Sequence, residues 1–144
     1  MRRVSVQGFT LLEILVVIII VGVLASVAMP LLFKNVKRSQ AAEALNTLGV
    51  IKRGIEDCAM QFGGDVVTCA PNSFDVWNNI GMTDPSNTVN SQSQFNYTVF
   101  CGGLPGSFNC GLVATDVSDG ANVITLSYTN GGVSKTGSGA FSGI

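Results

Sequence analysis

The side chains of this chain that could do chemistry are few. From Phe9 to Phe33 there is one ionisable group, Glu13, set in the run Leu11-Leu12-Glu13-Ile14-Leu15-Val16-Val17-Ile18-Ile19-Ile20-Val21. A charge at a bilayer centre costs about 2.5–3.5 kcal/mol on insertion scales and marks function. Glu13 lies four residues past Phe9, about 6 Å along a helix, so it sits near an interface and still calls for a cationic partner. The other candidates are four cysteines, Cys58, Cys69, Cys101 and Cys110, with ten residues inside the first interval and eight inside the last. Neither spacing is the short Cys-x-x-Cys of a zinc site, and the chain has no histidine to complete one. Two local disulfides, Cys58 with Cys69 and Cys101 with Cys110, are the simplest reading; four cysteines allow three connectivities, so the pairing stays open. Disulfides imply an oxidising, extracytoplasmic compartment.

Catalytic and cofactor chemistry finds no support. Without histidine the commonest general base is absent. There is no Gly-x-Ser-x-Gly elbow, phosphate-binding loop or dinucleotide fingerprint. The expectation is a non-enzyme with no cofactor and no metal. The formal charge of −1 and a pI near 5.1 argue against a nucleic-acid surface, which needs clustered Lys and Arg.

The elements that must position these groups read as follows. The apolar stretch 9–33 exceeds the roughly 20 residues that span a bilayer, and Gly22 and Ser26 have the small-x-x-x-small spacing that permits close helix approach. Pro30 lacks an N–H and clashes with the preceding turn, so a kink or local melt is expected there. Lys34, Lys37 and Arg38 mark the far membrane interface. Because Arg2 and Arg3 flank the near side, the positive-inside rule leaves the orientation open. A secretory signal peptide, with Ser26-Val27-Ala28 at its cleavage site, is the plainer reading; Glu13 and the length of the run speak against it.

From 34 to 62 apolar residues recur at steps of three or four (Val36, Ala41, Ala44, Leu45, Leu48, Ile51, Ile55, Ala59, Phe62), the stripe of an amphipathic helix. Gly63-Gly64 should end it. A connection over 63–94 carries one short helix, Ser73 to Ile80, capped by Ser73 or Asn72 and anchored by Phe74 and Trp77. The polar stretch 86–94 reads as an exposed loop. Strand signals follow at 95–101, 112–115 and 123–128, with a turn at Asn130-Gly131-Gly132 into a short fourth strand near 133–136. The fold class is α+β: one long helix against a small antiparallel sheet of three or four strands that covers the Leu45–Phe62 stripe.

A short basic leader, then Gly8-Phe9-Thr10-Leu11-Leu12-Glu13 and an apolar helix interrupted by Pro30, resembles the type IV pilin and type II secretion pseudopilin superfamily. The resemblance covers about the first quarter of the chain. It implies a leader, 1–8, removed after Gly8 by a prepilin peptidase that methylates the new amino terminus at Phe9. It also implies an assembly segment, 9–33, in which Glu13 pairs with the amino terminus of a neighbouring subunit, and unwinding near Pro30 on assembly. Loss of the leader removes two of the eight basic side chains, leaving six against nine acidic ones. The implied partners are other copies of the subunit, the peptidase, an inner-membrane platform protein and an assembly ATPase. The implied location is the inner membrane for the precursor and an extracellular pilus for the mature chain. Two departures matter. Cys110 is the last cysteine, so the tail 137–144 is unbridged, and Asp116 and Asp119 are the last acidic side chains, short of the acidic cluster of major pseudopilins. A pilus subunit therefore leads over a pseudopilin or minor pilin, with an anchored or secreted non-polymerising binding domain as the rival from another class.

Overall fold

The computed structural model describes residues 9–70, 76–86, 93–104 and 106–143. The chain divides into two units, one ending at Val36 and the other starting at Lys37. Helix α1 (Leu11–Gln61) supplies the first unit and begins the second; Pro30 lies inside it, with helix assigned on both sides.

In the first unit every side chain of α1 from Leu11 to Phe33 is exposed. This is what an apolar surface without a polar face must look like in an isolated chain, and α1 is long and apolar enough to cross a membrane. Its polar groups are satisfied locally: the Ser26 hydroxyl donates to the Val23 carbonyl at 2.7 Å. Pro30 offers no N–H to the carbonyl four residues back, which belongs to Ser26.

In the second unit the helix behaves differently because its apolar residues keep to one face. Ala41, Ala44, Leu48, Ile51, Ile55, Cys58 and Ala59 are buried, at the three- and four-residue steps of a single stripe. The ends of the stripe read from sequence are corrected here: Val36 and Phe62 are exposed, at 45% and 58%, and the buried run goes from Ala41 to Ala59 with Cys58 among its members. Gly63 and Gly64 close the helix in the left-handed region (φ 66° and 92°), and the Gly64 N–H reaches back to the Ala59 carbonyl at 2.7 Å.

The connection holds one more helical turn than the sequence led us to expect. Helix α2 (Val66–Cys69) is capped by Asp65, whose carboxylate accepts from the Val67 and Thr68 N–H groups. Helix α3 (Val76–Asn79) is the core of the expected short helix, with Val76 and Trp77 buried; the cap candidates Asn72 and Ser73 and the anchor Phe74 lie outside the described residues, as do residues 87–92 of the polar loop.

Four strands form one antiparallel sheet in the order β1-β2-β3-β4: β1 (Phe95–Leu104), β2 (Ser107–Asp116), β3 (Val123–Thr129) and β4 (Gly132–Gly137). β1 and β2 run further than their apolar alternation indicated, because the hairpin register continues through Gly102, Gly103 and Asn109. One sheet face turns Phe95, Tyr97, Cys110, Leu112, Ala114, Ile124, Leu126 and Tyr128 into a core with the α1 stripe. Phe141, in a 3-10 turn over Gly139–Phe141, plugs the end of that core: it is fully buried with its ring 5.9 Å from that of Phe95. The other face presents Thr98, Phe100, Val113, Thr125, Ser127, Ser134 and Thr136 outward, in cross-strand rows set by the register.

Candidate functional site

Phe9 and Thr10 precede α1, and Phe9 is 78% exposed. The helix starts because Thr10 caps it: the Glu13 N–H lies 3.3 Å from the Thr10 hydroxyl and 3.1 Å from its carbonyl, and the Ile14 N–H reaches the same carbonyl at 3.4 Å. Thr10-Leu11-Leu12-Glu13 thus has the Thr-x-x-Glu form of a capping box. This local signal was legible in the sequence, where Glu13 stood out for its charge instead. A carboxylate in the first turn also complements the positive end of the helix dipole. The first-turn position of Glu13 therefore suits the start of its own helix. Gly8, ahead of this turn, lies outside the described residues.

Both local cystine links are present. Cys58 of α1 is joined to Cys69 of α2, with Cα atoms 5.9 Å apart, which ties the end of the long helix to the turn that follows it. Cys101 and Cys110 are bonded to each other and stand directly opposite in the β1–β2 register.

A buried polar knot, which no local pattern announces, holds the start of the second unit. Asp116, at the end of β2, has no exposed side-chain surface and takes the Lys37 ammonium at 3.3 Å. Its other oxygen accepts from the Ser118 N–H at 2.9 Å and the Ser118 hydroxyl at 2.7 Å. Burial pushes this carboxyl up, but the Ser118 bonds and Lys37 outweigh it and hold it below the usual carboxylate range. Asp119 is occupied as well, by the Ala121 N–H and the Asn122 amide. Among the described residues no group of three or more His, Cys, Asp or Glu side chains is gathered to hold a metal.

The sign of the pH dependence follows. A carboxyl depressed in the folded state contributes stability that is complete above its unfolded value of about 3.9 and is lost as pH falls through the lower folded value. Thermal melts between about pH 7 and pH 2 should show the wild type losing stability below about pH 4. Asp116→Asn should be less stable at neutral pH by about 2 kcal/mol and lose less on acidification, so that the two curves converge; parallel curves would remove Asp116 from the acid transition.

A groove of about 410 Å3 lies between the end of α1 and the sheet, lined by Glu56, Ala59, Met60, Val66, Phe108 and Tyr128. Burial, helped by Glu56, raises the Tyr128 phenol well above its ordinary value, so it stays protonated, with the Lys52 ammonium 5.2 Å over its ring.

Residues 3–29 match the family model described as the prokaryotic N-terminal methylation motif. The chain is 30% identical over 87 residues to the type IV major fimbrial protein FimA of Dichelobacter nodosus, 60% of this chain and 53% of that one. It is 28% identical over 133 residues to the type IV major alpha-pilin of Moraxella bovis, 88% of this chain and 82% of that one. These likenesses support the resemblance to the type IV pilins and pseudopilins. To the type II secretion system core protein G of Klebsiella michiganensis this pilin-like chain is 39% identical over 56 residues, 39% of each. It spans about half the length of the FimA relative given above and 35% of a second FimA. No solved structure matches it. The matched motif places Phe9, Thr10 and Glu13 in the shared segment, whereas Lys37, Asp116 and the cysteines lie beyond it.

Proposed function

We propose that the chain is the structural subunit of a type IV pilus, made as an inner-membrane precursor, cut after Gly8 and methylated at Phe9, and displayed as an extracellular filament. The observation that carries the reading is the first half of α1: some 20 residues apolar on every side, none buried, with one acid in the first turn. Such a surface needs lipid or like helices around it. In a filament of like helices Glu13 needs a cation, and the amine freed at Phe9 is the charge that cleavage creates one turn away in sequence. Opposite charges 4 Å apart attract by about 4 kcal/mol at an effective dielectric near 20. The pairing of Glu13 with the amino terminus of a neighbouring copy would set the stagger between subunits, and Pro30 would be where α1 kinks or loosens on entry. By the same reading the partners are a prepilin peptidase, a platform protein and an assembly ATPase, and the role is architectural rather than catalytic.

The test is the mature amino terminus together with the assembly state. Mass spectrometry of surface material should give a chain starting at methylated Phe9, and electron microscopy should show fibres made of it. A chain starting at Met29 or retaining Met1, recovered as a monomer, would favour an anchored or secreted binding domain. The likeness to core protein G supports a second reading, a secretion pseudopilin, in which the same processed chain would be required for protein secretion and would form no long surface fibres at native expression.

A further inference from the structure

Outside the groove and the polar knot, the least ordinary surface is the outward face of the sheet. Protein surfaces meant to remain in water are about 25–35% charged. Among the described residues this face carries no ionisable side chain: Lys135, the one charge in β4, has the opposite pleat, facing the side of buried Leu126. In place of charge stand hydroxyls, the amides of Asn96 and Asn109, the scattered aliphatic side chains of Leu104, Val113 and Val123, and one aromatic ring.

That ring is Phe100. Gly111 is its direct partner on β2, and a Cβ on Gly111 would collide with the ring's Cζ, Cε1 and Cε2 atoms. The outer half of the ring therefore rests over the bare glycine backbone, while 48% of the residue stays exposed. The next residue in the same cross-strand row is Ser127, and after it Ser134. Those two serines, with Thr129, Val133 and the Gly131–Gly132 turn, line a shallow hollow of about 300 Å3. Strands lie about 4.8 Å apart, so the ring, reaching one strand over, ends where the hollow begins.

We propose that this face binds a neutral oligosaccharide, with Phe100 as the stacking platform and the Ser127–Ser134 hollow as the hydrogen-bonding floor. The C–H face of a pyranose is apolar and suits an aromatic surface, while its hydroxyls both donate and accept, as do those of Ser and Thr. An anionic glycan or a nucleic acid would require Lys or Arg on the face, and there is none. A protein partner would call for a denser apolar centre than one ring with the half-buried Val113 and Val123 and the outlying Leu104 set among hydroxyls and glycines. The filament reading is not needed for this site. In a filament, though, repetition of a weak site would raise avidity without any new contact.

The test uses the full mature chain in a phosphocholine detergent, since a maltoside would itself present sugar. Maltohexaose and cellohexaose are titrated against the labelled protein by NMR, with an oligogalacturonate as the anionic comparison. Expected is saturable binding of a neutral hexaose with a Kd on the order of 1 mM, shifts confined to the outer face, and no change between about 0.05 and about 0.5 M salt. Phe100→Ala should weaken binding about tenfold and Phe100→Tyr should retain it. Because the ring also shields Gly111, a second variant separates packing from binding: Ser134→Glu, at an exposed position, should abolish binding with an unchanged Tm. No shifts with either hexaose up to its solubility limit, preference for the oligogalacturonate, or equal binding by Phe100→Ala would overturn the proposal. So would outer-face shifts that follow protein concentration without sugar, which would assign the face to a second copy.

Discussion

Glu13→Ala is expected to enter the membrane like the wild type and to yield filaments roughly a hundredfold or more below wild-type amounts. Leaving one member of a buried ion pair alone costs about 3–5 kcal/mol, and each 1.4 kcal/mol is tenfold in an equilibrium. The place of Glu13 in the first helical turn offers a competing cause, and two further variants separate them. Glu13→Gln keeps a side chain suited to a capping box but no charge, so it should fail as badly as Glu13→Ala if pairing is what matters. Thr10→Ala removes the hydroxyl that receives the Glu13 N–H, costs about 1 kcal/mol of helix stability, and should reduce assembly only a fewfold. The readout is sheared surface filament per cell against precursor in the membrane fraction. Wild-type yields from Glu13→Gln would reduce Glu13 to a helix-start residue.

The second large effect concerns the link between α1 and α2. Replacing Cys58 and Cys69 by alanine should lower the stability of the second unit by about 3 kcal/mol, the loop-closure value for a ring of this size, and its Tm by on the order of 15 °C. A similar closure figure applies to Cys101 and Cys110, yet their strands are already paired in the hairpin register on both sides of the link, so the measured loss there should be smaller. The Cys58–Cys69 bond has less to fall back on: α2 is four residues long and depends on the Asp65 cap, the bond and the burial of Val66 and Cys69. Thermal melts of the two double variants decide the order, and a larger loss at the hairpin would reverse this account of what holds α2 in place.

How far the sequence reveals the molecule depends on the range over which each feature is encoded. The α1 stripe and the strands are periodic and local, and a window of a dozen residues contains them. The start of α1 is local too, in Thr10 and Glu13. Helix α2 escaped because Val66-Val67-Thr68 is β-branched and only the preceding Asp65 speaks for a helix. The burial of Phe141 has no local sign: one aromatic in a Gly- and Ser-rich tail becomes core because Phe95 and the sheet end leave it a place. Lys37 and Asp116 are 79 residues apart and are brought together by the fold alone. The ring over Gly111 is likewise a cross-strand fact, invisible until the register of β1 and β2 is known.

The first half of α1 has one more implication. A rod that is oily around its whole circumference cannot wait in water between one home and the next. On the pilus reading proposed above, traffic of this chain runs sideways within the lipid sheet, so its supply to a growing structure would be governed by copies per unit membrane area rather than per unit volume. Dilution of the surrounding medium would leave that supply untouched, whereas expansion of the membrane at constant copy number would starve it.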